Sequence, residues 1–160
     1  MKTLDTRDLY KRKCELEELR DAVTTAREEL EEKKGVLAAL EETPEDEASE
    51  AALEIASEGV TDAESNLESA ESGFGDDEKT ELDELETLEN ETSEFMHGET
   101  MILENDFEDY TREMAEDIHG KAVREATWPF TCIDWEQAAR ELAMDYSTVE
   151  YQGESYYVRS

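Results

Sequence analysis

Between residues 50 and 71 the chain sets acids at a fixed interval: Glu50, Glu54, Glu58 and Asp62 follow one another every four residues, and Glu64, Glu68 and Glu71 continue close behind. Four residues of helix rise about 6 Å, so this ladder holds negative charges at roughly the separation of successive phosphates along a nucleic-acid strand. Neighbouring acids at that interval repel by about 0.2–0.5 kcal/mol per pair, so the arrangement lowers helix stability and points to use rather than to architecture. The bias continues, because residues 41–118 contain 30 acids and two basic residues, Lys79 and Arg112. Asp76, Asp77, Glu81, Glu84, Glu104, Asp106, Glu108, Asp109, Glu113, Glu116 and Asp117 are therefore further candidates for a partner-binding surface. The chemistry is electrostatic: carboxylates occupy the places that phosphates take in a basic protein groove.

Covalent chemistry finds few parts. His97 and His119 are isolated, Cys14 sits in a charged helical segment, and no phosphate-binding glycine loop, zinc spacing or nucleophile elbow occurs. A glycosidase dyad needs two acids in a cleft, whereas this sequence offers dozens on solvated helices. A calcium loop with alternating Asp or Asn ligands and a central Gly is also missing from the sequence. The expectation is a protein that is not an enzyme, with no catalytic residue, metal or cofactor. Cys14 and Cys132 lie far apart and form no C-x-x-C pair, which fits a reducing compartment. No apolar run approaches the roughly 20 residues that span a bilayer, and the start of the chain lacks a secretory pattern, so a cytoplasmic protein is expected.

The 160 residues carry 47 acids against 15 basic side chains, a formal net charge of −32. Residues 1–34 are nearly neutral, with 9 basic and 10 acidic side chains, and residues 35–160 hold 6 and 37. A chain with this field repels nucleic acid and anionic lipid, so its partner should be a basic protein surface, one that itself holds nucleic acid. A hydrophobic share of 37% against 39% charged residues lies near the composition of disordered chains, so order must come from periodicity. A halophilic or merely disordered acidic protein is the plainer reading of the same numbers.

The elements that would carry these acids are helices. Leu9, Leu16, Val23, Leu30 and Leu37 recur every seven residues, with Leu19, Ala26 and Leu40 three residues later and Arg12 and Lys33 interrupting that second position. Gly35 should weaken this helix and could bend it. Thr43 reads as an N-cap, with Pro44 at a first helical position followed by Glu45 and Asp46. The next helix has its own heptads, Leu53, Val60, Leu67 and Phe74 with Ala56, Ala63 and Ala70 between. Two such helices should close as an antiparallel coiled-coil hairpin over residues 1–74. The breaker Gly73-Phe74-Gly75 ends it, and Asp76 or Asp77 can cap a third, acidic linker helix within 75–94 that carries Leu82, Leu85 and Leu88.

From residue 95 aromatic residues appear and the elements shorten, which predicts a small α+β unit over 95–160. Thr100–Leu103 reads as a strand, Asp106–Ile118 and Asp134–Tyr146 as helices joined by an irregular link through Trp128-Pro129-Phe130, and Thr148–Val158 as a hairpin about Gln152-Gly153. That hairpin puts Val149, Tyr151, Tyr156 and Val158 on one face, which needs a helix packed on it. The two helices repeat each other at an offset of 28 residues, with six of 13 positions identical, including Asp106 with Asp134, Glu108 with Glu136 and Arg112 with Arg140. In each copy the Asp can cap, the aromatic can pack inward, and the Arg lies four residues from a Glu. The fold class is thus mainly α with a small α+β C-terminal unit.

The segment Cys132-Ile133-Asp134-Trp135-Glu136, with Ala139-Arg140-Glu141-Leu142, Asp145-Tyr146 and the hairpin Val149 to Arg159, resembles the closing part of antirestriction proteins of the ArdA type. The resemblance covers about residues 95–160. It implies an acidic, elongated, usually dimeric mimic of bent B-form DNA, carried by a phage or mobile element, that occupies the DNA-binding groove of a restriction enzyme. Asp106, Glu108, Asp109, Glu113, Glu116 and Asp117 would then belong to the mimic surface. The heptad hairpin departs from that family, which has further small α/β modules upstream, so the target could be another defence complex such as a CRISPR effector. Two functions fit these features: a DNA mimic that inhibits a host defence nuclease in the bacterial cytoplasm, and a coiled-coil adaptor whose acids only confer solubility.

Overall fold

A computed structural model describes residues 1–43 and 50–159. The molecule is mostly helical with a small antiparallel sheet, and its packing separates two units, Met1–Lys13 with Asp83–Ser160, and Cys14–Leu82. This differs from the division at residues 74 and 94 drawn from composition. The reason lies at the first residues, where a strand β1 (Thr3–Asp5) pairs antiparallel with β2 (Thr100–Leu103), Leu4 opposite Met101. A three-residue strand has no periodicity of its own and exists only through that distant partner.

Helix α1 (Thr6–Glu41) follows at once. Asp5 caps it, its Oδ1 accepting the Arg7 backbone N–H at 2.9 Å, and the Arg7 guanidinium returns to the same carboxylate at 2.9 Å. Thr6 is fully buried and ties the helix start to the entry of β2: its N–H donates to Glu99 O at 3.0 Å and its hydroxyl accepts the Glu99 N–H at 2.8 Å. Gly35 introduces no break, since the helix continues to Glu41. An interior glycine costs about 1 kcal/mol, which the neighbouring turns of a long helix can absorb. Thr43 bonds back to this helix, its hydroxyl donating to Ala39 O at 2.9 Å; the cap expected of it would be made to residues outside the described ones. Pro44, Glu45 and Asp46 lie outside the described residues.

In the unit Cys14–Leu82, α1 runs antiparallel to α2 (Glu50–Gly73), fixed by ion pairs from Arg27 to Glu71 at 2.9 Å and from Lys34 to Glu64 at 3.4 Å. Leu16, Ala26, Leu30 and Ala63 are buried, while Val23, Leu37, Leu53, Val60 and Leu67 are half-buried. Two helices without a third layer can cover only one stripe on each, so the rest of the heptad set remains partly open. Phe74 is buried just past the end of α2, and α3 (Asp76–Glu91) begins two residues later with Leu82, Leu85 and Leu88 all buried. Neither Asp76 nor Asp77 is the cap. That position falls to Gly75, whose N–H donates to Glu78 Oε2 at 3.0 Å, placing both aspartates in the first turn beside the positive end of the helix dipole.

In the other unit the sheet order is β1-β2-β4-β3, with β3 (Tyr146–Tyr151) and β4 (Glu154–Arg159) joined by a two-residue turn. Gln152 at φ 51° and Gly153 at φ 73° are both left-handed, the mirror-image turn that matches strand twist. Val149, Tyr151, Tyr156 and Val158 are all buried, as the pairing register requires. The opposite face is used as well. Helix α4 (Phe107–His119) lays Phe107 against Tyr146 and Tyr157, ring centroids 5.1 and 4.4 Å away. A four-residue helix α5 (Lys121–Arg124) and the link with a cis Trp128–Pro129 bond lead to α6 (Trp135–Leu142), shorter than expected because a 3-10 turn takes over at Ala143–Asp145.

The repeated helices α4 and α6 behave alike at their arginines and differ at their caps. Arg112 pairs with Glu108 at 3.5 Å and Arg140 with Glu136 at 3.0 Å. Asp134 caps α6, accepting the Gln137 N–H at 3.1 Å, but Asp106 makes no cap bond. Its carboxylate instead accepts the Lys2 backbone N–H, because β1 brings that donor within reach.

Candidate acidic partner surface

The α2 ladder is solvent-exposed at Glu50, Glu54, Glu58, Asp62 and Glu68, and none of these makes an ion pair among the described residues. Each step of four residues turns about 40° around the helix, so the row from Glu50 to Asp62 winds over roughly 120°, and Glu68 returns above Glu50 after five turns. The row starts beside α1, where Glu50 and Glu54 line a groove with Leu37 and Glu41, and winds outward from there toward Asp62. Glu64 and Glu71 lie on the flank beside α1, where Lys34 and Arg27 engage them. Those two serve the hairpin first. On α3, Asp76 pairs with Lys79 at 3.2 Å, Asp77 is exposed, and Glu81 and Glu84 are half-buried.

The other unit holds a second, shorter row of the same spacing. Asp109, Glu113 and Asp117 are exposed on α4 without an ion pair among the described residues, and Glu104 is exposed just before it. Glu108 is met by Arg112, Glu116 is half-buried and met by Arg124 at 3.4 Å, and Asp106 is engaged by Lys2. Sequence reasoning passed over Glu136, which the repeat aligns with Glu108 and which is exposed on α6.

Two carboxylates of the sheet, Asp5 on β1 and Glu154 on β4, have shifted ionisation. Hydrogen bonding from the Arg7 side chain holds Asp5 below the ordinary carboxylate range. Glu154 is lowered likewise by the Lys2 ammonium and then by the Tyr156 hydroxyl, which donates to it at 3.0 Å. Burial pushes the Tyr146 hydroxyl up, helped by the Tyr110 hydroxyl 3.2 Å away.

Among the described residues no group of three or more His, Cys, Asp and Glu side chains could hold a metal ion. His119 lies against the Phe130 ring at 5.4 Å, and Cys14 and Cys132 are both free thiols, the first half-buried and the second exposed. No described helix is long and apolar enough to cross a membrane. Comparison of the chain with protein-family models, with curated proteins and with solved structures gives no match.

Proposed function

We propose that the protein is a DNA mimic of a phage or mobile element that inhibits a host defence nuclease, of the restriction or CRISPR class, by occupying its basic nucleic-acid groove in the bacterial cytoplasm. The observation that carries the reading is the pair of unneutralised carboxylate rows, Glu50, Glu54, Glu58, Asp62 and Glu68 on α2 and Asp109, Glu113 and Asp117 on α4. Helices give such rows a fixed rise, which flexible acidic tails lack, and fixed charges cost less to organise when a partner arrives. The fold of residues 95–160 is read as the ArdA-like module and residues 1–74 as a coiled-coil hairpin, with homodimerisation the expected state. Nucleic acid itself and membranes are not partners in this scheme, because both repel a net charge of −32. The test is a pull-down from host extract at low salt, eluted first by salt and then by duplex DNA. Release of a nuclease by DNA supports the reading, and retained inhibition by a folded variant with Glu50, Glu54, Glu58 and Asp62 changed to Gln or Asn refutes it.

One observation favours a second function, a helix-binding adaptor. Near the end of the hairpin Val36 is 49% exposed and Ile55 69% exposed, and with Leu40 and Ala56 they line an open apolar groove. Replacing Val36 and Ile55 by Ser leaves charge untouched, so loss of partner binding in that variant alone would favour the adaptor.

A further inference from the structure

A cleft between the repeated helices α4 and α6 is lined in part by Phe107 and Glu108 of α4, the helix that carries the second carboxylate row. Its volume is about 400 Å³, near the lower end of the roughly 300–1,000 Å³ typical of ligand clefts and suited to one long side chain rather than a whole helix. Its aromatic lining is Phe107 and Tyr157, ring centroids 4.4 Å apart and inclined by 49°. Ala139 and Ala143 leave the α6 side open, since a methyl group is all that either projects. Glu104 and Glu108 stand on one side and Glu136 on the other, all three exposed. Arg140 also lines the cleft but is engaged with Glu136 at 3.0 Å.

We propose that this cleft is a socket for an arginine side chain projecting from the basic partner. A mixed slot, with Ala139, Ala143 and Tyr157 over the buried Phe107 ring and carboxylates at its mouth, suits a group that is flat, weakly hydrated and positive, which describes guanidinium better than ammonium. Of the rim acids, Glu104 makes no ion pair among the described residues, while Glu108 and Glu136 are engaged by Arg112 and Arg140, so an entering cation would share or displace those partners. The molecule already contains one instance of this chemistry beside the cleft: Arg112 on α4 lies over the Trp135 ring of α6 at 5.4 Å while pairing with Glu108. The repeat explains the construction, because Glu108 and Glu136 are equivalent residues that packing of the two helices brings to opposite sides of one slot. The inference rests on the reading that the partner is a basic protein, and it adds an anchoring contact for which rows of charge alone give no geometry.

The test uses the full chain and a blocked Gly-Arg-Gly peptide, with Gly-Lys-Gly as the comparison, followed by NMR at the Ala139 and Ala143 methyls and the Phe107 and Tyr157 rings. The arginine peptide should shift these signals saturably and bind about tenfold more tightly than the lysine peptide. Ala143→Leu and, separately, Ala139→Leu fill the slot without changing a charge, and each should abolish the response while circular dichroism stays native. Shifts spread evenly over exposed acids, or unchanged in both leucine variants, would overturn the socket; if neither variant folds, the wild-type shift map decides. Its fate separates from that of mimicry. If the peptide fills the cleft yet stripping the α2 acids leaves inhibition intact, the socket stands and mimicry falls. If stripping abolishes inhibition while the peptide never reaches the cleft, mimicry stands and the socket falls.

Discussion

Replacing Glu50, Glu54 and Glu58 by Gln and Asp62 by Asn should make the protein more stable, and the size of the gain can be worked from α2. The four acids form three successive i,i+4 pairs on an exposed helix face, and none is relieved by a cation among the described residues. At about 0.2–0.5 kcal/mol per like-charged pair, the three together oppose folding by about 1 kcal/mol at low ionic strength. For a chain of this size that corresponds to a rise in Tm of roughly 2–6 °C. Thermal melts followed by circular dichroism at 20 mM and 500 mM salt provide the assay. The wild type should gain stability with salt, because a Debye length of about 4 Å at the higher salt screens charges about 6 Å apart, and the variant should gain less, so the two melts converge. A variant that is less stable than wild type at low salt, or one equally sensitive to salt, would refute the reasoning: the acids would then be part of the fold's own support and not groups held against it.

Three other perturbations follow from single sites. Lys13 is 7% exposed and pairs with Glu89 at 3.1 Å, so Lys13→Ala should lower stability by about 2–3 kcal/mol in urea melts, with Glu89→Gln milder because Glu89 is more open to solvent. Gly35→Ala and Gly98→Ala should act in opposite directions. A Cβ at Gly35 meets nothing within 4 Å and should stabilise α1 by about 1 kcal/mol, whereas Gly98 sits at φ +94° with the Arg7 side chain against the added carbon and should lose about 1–3 kcal/mol by the same melts. Asp5 and Glu154 have folded-state pKa values below their unfolded ones, so their contribution is present above the ordinary carboxylate range and is lost as pH falls through the lowered values. Acid titration monitored by circular dichroism should therefore show a weaker pH dependence in an Asp5→Asn, Glu154→Gln double variant.

How much of this was legible depended on whether a feature was local. The strand Thr100–Leu103, the Gln152-Gly153 turn and the buried set Val149, Tyr151, Tyr156 and Val158 follow from short-range pattern, because turn chemistry and alternation fix the register. The Asp134 cap followed the same logic, but its repeat partner Asp106 did not, since a backbone donor from Lys2 competes for that carboxylate. Glu64 and Glu71 looked like members of one ladder and were separated from it by Lys34 and Arg27 on the neighbouring helix. No spacing along α2 could show which of its acids face a cation.

By itself, then, the sequence determined the helical and strand character of most segments, the negative field, and the intervals at which its charges stand. Periodicity and charge are properties of neighbours along the chain. Only the tertiary structure decided that β1 joins residues 3–5 to a strand almost a hundred residues away, which acids are answered by an arginine or lysine, and that two copies of one helix enclose a cleft over Phe107 and Tyr157. Each of those depends on contacts between distant parts of the chain, and such contacts form only where packing brings the parts together.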